Sequence, residues 1–323
     1  MVLTTPLIAW LAKAGAVDVV ATPRAAALLE NNPDVREVVV YDKRGSDRGV
    51  GGFTRLAARL RKARYDAAYL AQGSVRSGAL TLGAGIRDRV GFASSAGRAF
   101  YTTRIPPVDD MHHAARLLSL GTRDPVRDVP AATLRPRLYP GARERAAVDE
   151  LLGGAALEPL IAVAPGSIWA TKQWPYYADL ARELHGLARL VVIGSEADRP
   201  LAREIVAAAG DSVIDATGEL SLLASAHLIA RAMLLVTNDS APLHLASAMN
   251  TPTLAIFGPT VPEFGFGPLA ERSQVAGHTG LACRPCDRHG PRRCPLGHWR
   301  CMREITADDV ARIARGLLTS RTS

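Results

Sequence analysis

Short apolar runs alternate along the chain with stretches in which apolar positions recur every three or four residues, and this alternation predicts strands separated by helices. Residues 3–14 read as a helix, 17–21 as a strand, 25–29 as helix again, and 35–41 as a second strand. A Gly-rich loop over 45–52, a basic helix over 53–62 and a strand over 66–71 follow. A helix over 77–84 then leads to the short run 89–92, and another helix closes near Leu120. The later half repeats the pattern, with strands at 160–164, 189–193, 213–215, 234–236 and 253–257. Helices at 176–185, 200–209, 222–231 and 243–249 separate them. Such alternation gives a parallel sheet wrapped by helices, and two halves of this kind imply an α/β chain with ligands at the carboxyl ends of its strands. Between the halves, residues 121–145 are rich in Pro, Asp and Arg, including Pro125, Pro130, Pro136 and Pro140. That stretch reads as a linker, with a boundary near residue 140 separating domains 1–140 and 141–323.

Composition agrees with two domains. The chain has 323 residues, more than one core usually serves, with 48% hydrophobic and 22% charged residues. No apolar run reaches the roughly 18 residues that span a bilayer. The first residues lack the charged region and long apolar core of a signal peptide, so the expected compartment is the cytoplasm. A net charge of +8 favours anionic partners such as nucleotides, nucleic acid or an anionic membrane face, although solvated arginines explain part of the excess. Aromatic residues are only 5%, with no visible stacking platform, which argues against a nucleic-acid-binding module.

Three turns at strand ends carry candidate chemistry. In the organising one, the apolar run Met233-Leu234-Leu235-Val236 leads into Thr237-Asn238-Asp239-Ser240-Ala241-Pro242 and a small-residue helix. Asn238, Asp239 and Ser240 supply acceptors expected to cap that helix, and its N-terminal N–H groups and dipole suit a phosphate. The reading beside it is an ordinary capped helix with a core-facing His244. A second turn, Pro165-Gly166-Ser167-Ile168-Trp169-Ala170-Thr171-Lys172, offers hydroxyls and a lysine for a diphosphate, without Walker A spacing. The third, Gly194-Ser195-Glu196-Ala197-Asp198, holds carboxylates that either take ribose hydroxyls or, as Asp198 would, cap a helix. There is no D-x-D to hold a metal, which leaves stabilisation of a leaving diphosphate to Lys172 and the helix N-terminus.

Pro-Gly-Ser…Lys-Gln-Trp-Pro, Gly-Ser-Glu-Ala-Asp, Thr-Asn-Asp-Ser-Ala-Pro-Leu-His-Leu-Ala and Phe-Gly-Pro-Thr-Val-Pro-Glu-Phe-Gly-Phe together resemble glycosyltransferase family 9. These are the ADP-heptose:lipopolysaccharide heptosyltransferases, and the nearest subgroup is heptosyltransferase II-like. The resemblance implies a GT-B architecture, two Rossmann-like doubly wound domains facing across a cleft. It also implies inverting, metal-independent transfer of heptose from ADP-heptose to a lipopolysaccharide core acceptor at the inner membrane face. Lys172, Asp239, Ser240, Ala241 and His244 match donor-binding positions, with Lys172 and Asp239 as the catalytic pair and Ser167 as a diphosphate contact. Ala241 stands where many members have Gly. Glu196 and Asp198 are assigned to the nucleotide sugar, and Thr4, Thr5 and Arg76 to the acceptor. The competing class is a nucleotide-sugar-binding protein of the same fold that no longer catalyses.

Two features fit less simply. Cys283, Cys286, Cys294 and Cys301 cluster with His289 and His298, spaced loosely for a structural zinc and otherwise read as reduced or redox-labile thiols. No cofactor is expected for catalysis. The second feature lies at Leu3-Thr4-Thr5-Pro6-Leu7. By the resemblance, an apolar strand and Gly-Asp precede these residues, the aspartate being the proposed base for the acceptor hydroxyl. The expectation is therefore roughly a dozen further residues upstream, enough for a strand and a turn. Without them the chain should bind ADP, transfer sugar poorly, and leave an open sheet edge.

Overall fold

The computed structural model describes residues 1–319, the side chain of Asp211 excepted. It divides into one unit, Leu3–Leu134, and a second that starts at Arg135. In the first unit β1 (Asp18–Ala21) pairs in parallel with β2 (Glu37–Val40). A separate parallel sheet has the order β3 (Ala67–Leu70), β4 (Asp88–Phe92), β5 (Thr103–Ile105). No backbone ladder joins β1 to β3 among the described residues. Side chains link them instead, because the Tyr65 hydroxyl donates to the Asp18 carboxylate at 2.5 Å beside the Asp18–Arg36 ion pair.

The second half of the run expected to be a Gly-rich loop, residues 49–52, is helical and opens the helix Gly49–Ala63. Glycine disfavours a helix, but Leu56, Ala57 and Leu60 are buried on one face against Val39, Tyr41, Leu80 and Ile86, and that burial decides the outcome. Gly52 is needed there, since a Cβ would collide with the Asp47 carbonyl. The expected linker is also partly structured. It contains the helix Ala131–Leu134 and the start of the helix Ala142–Leu152.

The second unit holds one six-stranded parallel sheet. Its strands are β6 (Leu160–Ala164), β7 (Arg189–Val192), β8 (Val213–Asp215), β9 (Leu234–Asn238), β10 (Thr253–Phe257) and β11 (Ser273–Gly277). Their order is β8-β7-β6-β9-β10-β11. β6, β9 and β10 are buried along their whole length, as strands covered on both faces must be. Alternate residues face opposite ways. Ile161, Val163, Leu234, Val236, Leu254 and Ile256 pack with the helices Tyr177–Glu183, Arg199–Ala209 and Ala307–Thr319. Ala255 and Phe257 pack with Leu243 of the helix Ala241–Met249. The order reverses direction between β6 and β9, the point at which open α/β sheets hold ligands beyond the carboxyl ends of their strands. No helix among the described residues is long and apolar enough to cross a membrane.

Candidate active site

The turns that follow β6 and β9 lie side by side, because Ala164 is paired with Thr237. Asn238, the fully buried last residue of β9, ties the two together. Its Nδ2 donates to the Pro165 carbonyl at 2.8 Å, and its Oδ1 accepts from the Trp174 backbone N–H at 3.2 Å and the Tyr177 hydroxyl at 3.3 Å. One amide thus holds both ends of the Pro165–Trp174 turn, and every polar group involved has a partner in a dry environment. This corrects the expectation that Asn238, Asp239 and Ser240 cap the following helix. Ser240 stands at the cap position in extended conformation with no side-chain capping bond. Asn238 points into the pin and Asp239 toward Lys172, so the N-terminus of Ala241–Met249 carries no side-chain cap.

Within the pinned turn, Lys172 is 8% exposed, and its Nζ donates to Asp239 Oδ2 at 2.6 Å. The Thr260 hydroxyl donates to the same oxygen at 2.7 Å. A buried ammonium and carboxylate offset each other's desolvation only with good geometry and further hydrogen bonds, and Thr260 supplies one. Thr171 is buried and donates to the Pro291 carbonyl. Ser167 is half-buried, its Oγ accepting from the Trp169 N–H at 3.3 Å and its carbonyl from the Gln173 side chain at 3.0 Å. Ala241 is exposed at the first turn of its helix. The half-buried His244 ring lies 6.3 Å from that of Phe266.

The third turn is adjacent, since a Cβ on Gly166 would collide with the Asp198 carboxylate. Asp198 Oδ2 accepts from both the backbone N–H and the hydroxyl of Ser195 at 2.8 Å, so this side chain closes its own turn. Glu196 is more open. It pairs with Arg199 at 2.7 Å, and Arg199 also reaches Glu219 and the Thr217 carbonyl at 3.0 Å. In the first unit, half-buried Thr4 precedes the helix Thr5–Ala12 without a side-chain capping bond, and Thr5 is buried. Exposed Arg76 donates to the Tyr41 hydroxyl at 3.2 Å.

The cysteines belong to a segment, residues 278–299, that has neither helix nor strand, with Cys301 just beyond in the helix Arg300–Arg303. Cys283 Sγ lies 3.7 Å from His298 Nε2, and Cys286 Sγ donates to the Cys283 carbonyl at 3.1 Å. Burial pushes the Cys301 thiol up to about 11 and raises Cys286 as well, so both stay protonated at neutral pH. Among the described residues no group of three or more His, Cys, Asp or Glu side chains is set to hold a metal ion. The segment nevertheless touches the candidate site. Pro291 receives Thr171, Cys286 N–H donates to the Pro259 carbonyl at 2.9 Å, and Arg284 donates to the carbonyls of Phe257, Gly258 and Thr260.

Three contributors fall outside the sequence reading: the pinning role of Asn238, Thr260, and Arg284. Asn238 carried a signal as a polar residue closing a mostly apolar strand, and Thr260 as part of Phe257-Gly258-Pro259-Thr260, a stretch that carries the family resemblance.

A family model described as "Glycosyltransferase family 9 (heptosyltransferase)" matches residues 53–298. Lipopolysaccharide heptosyltransferase 2 of Escherichia coli (strain K12) is 29% identical over 273 residues, covering 80% of this chain and 78% of the relative. The solved structure of E. coli ADP-heptose lps heptosyltransferase II superposes with a TM-score of 0.82 at 26% identity, covering 100% of this chain and 96% of that one. The glycosyl transferase family 9 structure from Veillonella parvula DSM 2008 gives a TM-score of 0.82 at 23% identity, covering 99% and 93% of the two chains. Its likeness speaks for the fold alone.

Proposed function

The chain belongs to glycosyltransferase family 9 and is a glycosyltransferase of GT-B architecture, and on that premise we propose that it moves a heptose from ADP-heptose to a lipopolysaccharide core acceptor, inverting the anomeric carbon without a divalent metal. The observation that carries this reading is the buried Lys172 beside the uncapped N-terminus of the helix Ala241–Met249, at the switch point of the second unit's sheet. The similarity to the E. coli lipopolysaccharide heptosyltransferase 2 and to the solved ADP-heptose lps heptosyltransferase II supports the donor and the acceptor.

In the reaction the acceptor oxygen attacks the anomeric carbon opposite the leaving group, giving up its proton to a general base as the new C–O bond forms. The bond from that carbon to the diphosphate oxygen breaks, and its electron pair leaves with ADP. The extra negative charge falls where the Lys172 ammonium and the helix dipole can meet it, a contact stronger in the transition state than in the ground state. Asp239 orients Lys172, while Ser167 and the backbone of Ser240 and Ala241 take diphosphate oxygens, with His244 alongside. Glu196, with Asp198 shaping its turn, faces the ribose. Thr4, Thr5 and Arg76 of the first unit contact the acceptor. The enzyme works in the cytoplasm at the inner membrane face, where a net charge of +8 favours an anionic lipid-linked acceptor.

ADP release from ADP-heptose, followed with and without lipopolysaccharide core acceptor, tests this. Release that depends on acceptor and survives EDTA is expected. Binding without release, or release lost in EDTA and restored by Mg²⁺, would contradict it.

A further inference from the structure

Thr260 lies just beyond the end of β10, is 1% exposed, and aims its hydroxyl at the Asp239 oxygen that also receives Lys172. Its backbone has no latitude, because the Arg284 guanidinium donates to the Thr260 carbonyl at 3.0 Å and to the carbonyls of Phe257 and Gly258. Two donors converge on one oxygen of the largely buried Asp239 carboxylate, and the Thr260 bond already supports the ion pair while Lys172 stays in place. It becomes necessary when the ammonium is drawn elsewhere, since a buried carboxylate left without donors bears its desolvation unaided.

We propose that Thr260 is a positioning residue for the transfer step: its hydroxyl keeps the Asp239 carboxylate hydrogen-bonded as Lys172 turns toward the developing charge on the leaving diphosphate. The proposal rests on the assignment of Lys172 made above. Without the Thr260 hydroxyl, Asp239 holds the ammonium more tightly, and the loss appears at the transition state more than in donor binding.

The test is steady-state kinetics of Thr260→Val, which keeps the shape and removes the donor, beside Thr260→Ser, which keeps the donor. Thr260→Val should lower kcat about tenfold with donor KM within about threefold, while Thr260→Ser stays within about twofold of the parent. Should valine disturb folding, Thr260→Ala removes the same donor with a smaller side chain, and the same loss in kcat is expected. In a Lys172→Ala background Thr260→Val should cost little more, because Thr260 acts through Lys172. A folded Thr260→Val enzyme with unchanged kcat, Thr260→Ser as slow as Thr260→Val, or fully multiplicative losses would each overturn the proposal. A harmless Lys172→Ala would instead defeat the reading of the site itself, so the two failures are distinguishable.

Discussion

Asn238 is fully buried, and its amide satisfies the Pro165 carbonyl and the Trp174 N–H while sharing the Tyr177 hydroxyl with the Ala164 carbonyl. Asn238→Ala should therefore destabilise the second unit by about 3 kcal/mol. Urea unfolding checks this, and a loss under about 1 kcal/mol would mean that the pin is incidental. Lys172, Asp239 and Ser240 were legible as candidates because turns at the ends of apolar strands leave few places for charged side chains to go. The direction of the Asn238 amide was not. An asparagine before a helix can accept from that helix or reach across to a neighbouring turn, and the choice depends on the β6–β9 pairing, which is remote in sequence. The contact of Thr260 with Asp239 was hidden for the same reason, since it depends on the pairing of β9 with β10.

Among the elements, long apolar runs such as β6, β9 and β10 declare themselves by composition. β11 does not, because the edge strand Ser273–Gly277 opens with Ser273 and Gln274 and holds no apolar run longer than Val275-Ala276. The helix Gly49–Ala63 shows the reverse error, in which local glycine content suggested a loop and tertiary burial made a helix. In the first unit, the carboxylate at the start of β1 does work that backbone pairing does elsewhere. The Arg36 hydrogen bond, helped by Tyr65, holds Asp18 below the usual carboxylate range despite its burial. A folded pKa below the unfolded one stabilises the fold above the unfolded value of about 4, and that stability is lost as pH falls through the folded pKa. Asp18→Asn should cost roughly 1–2 kcal/mol near neutral pH, and the gap from the parent should narrow as pH falls below about 4. Urea unfolding across that range measures it. A gap that stayed constant would show that Asp18 contributes by packing alone.

For the whole molecule, the alternation of strands and helices was enough to expect two α/β units, and the strand order of the second explains why the candidate residues converge. The strand order reverses between β6 and β9, the place where open α/β sheets hold ligands, and Lys172 from the turn after β6 meets Asp239 from the turn after β9 there. The central claim is that this point holds the diphosphate of the donor and stabilises it as it leaves. It is tested most directly by kcat/KM for ADP-heptose in Lys172→Ala and in Lys172→Gln, which keeps a donor for Asp239 but no charge. Both variants should fold and should lose about a hundredfold or more in kcat/KM. A folded variant of either kind with kcat/KM equal to the parent's would contradict the account.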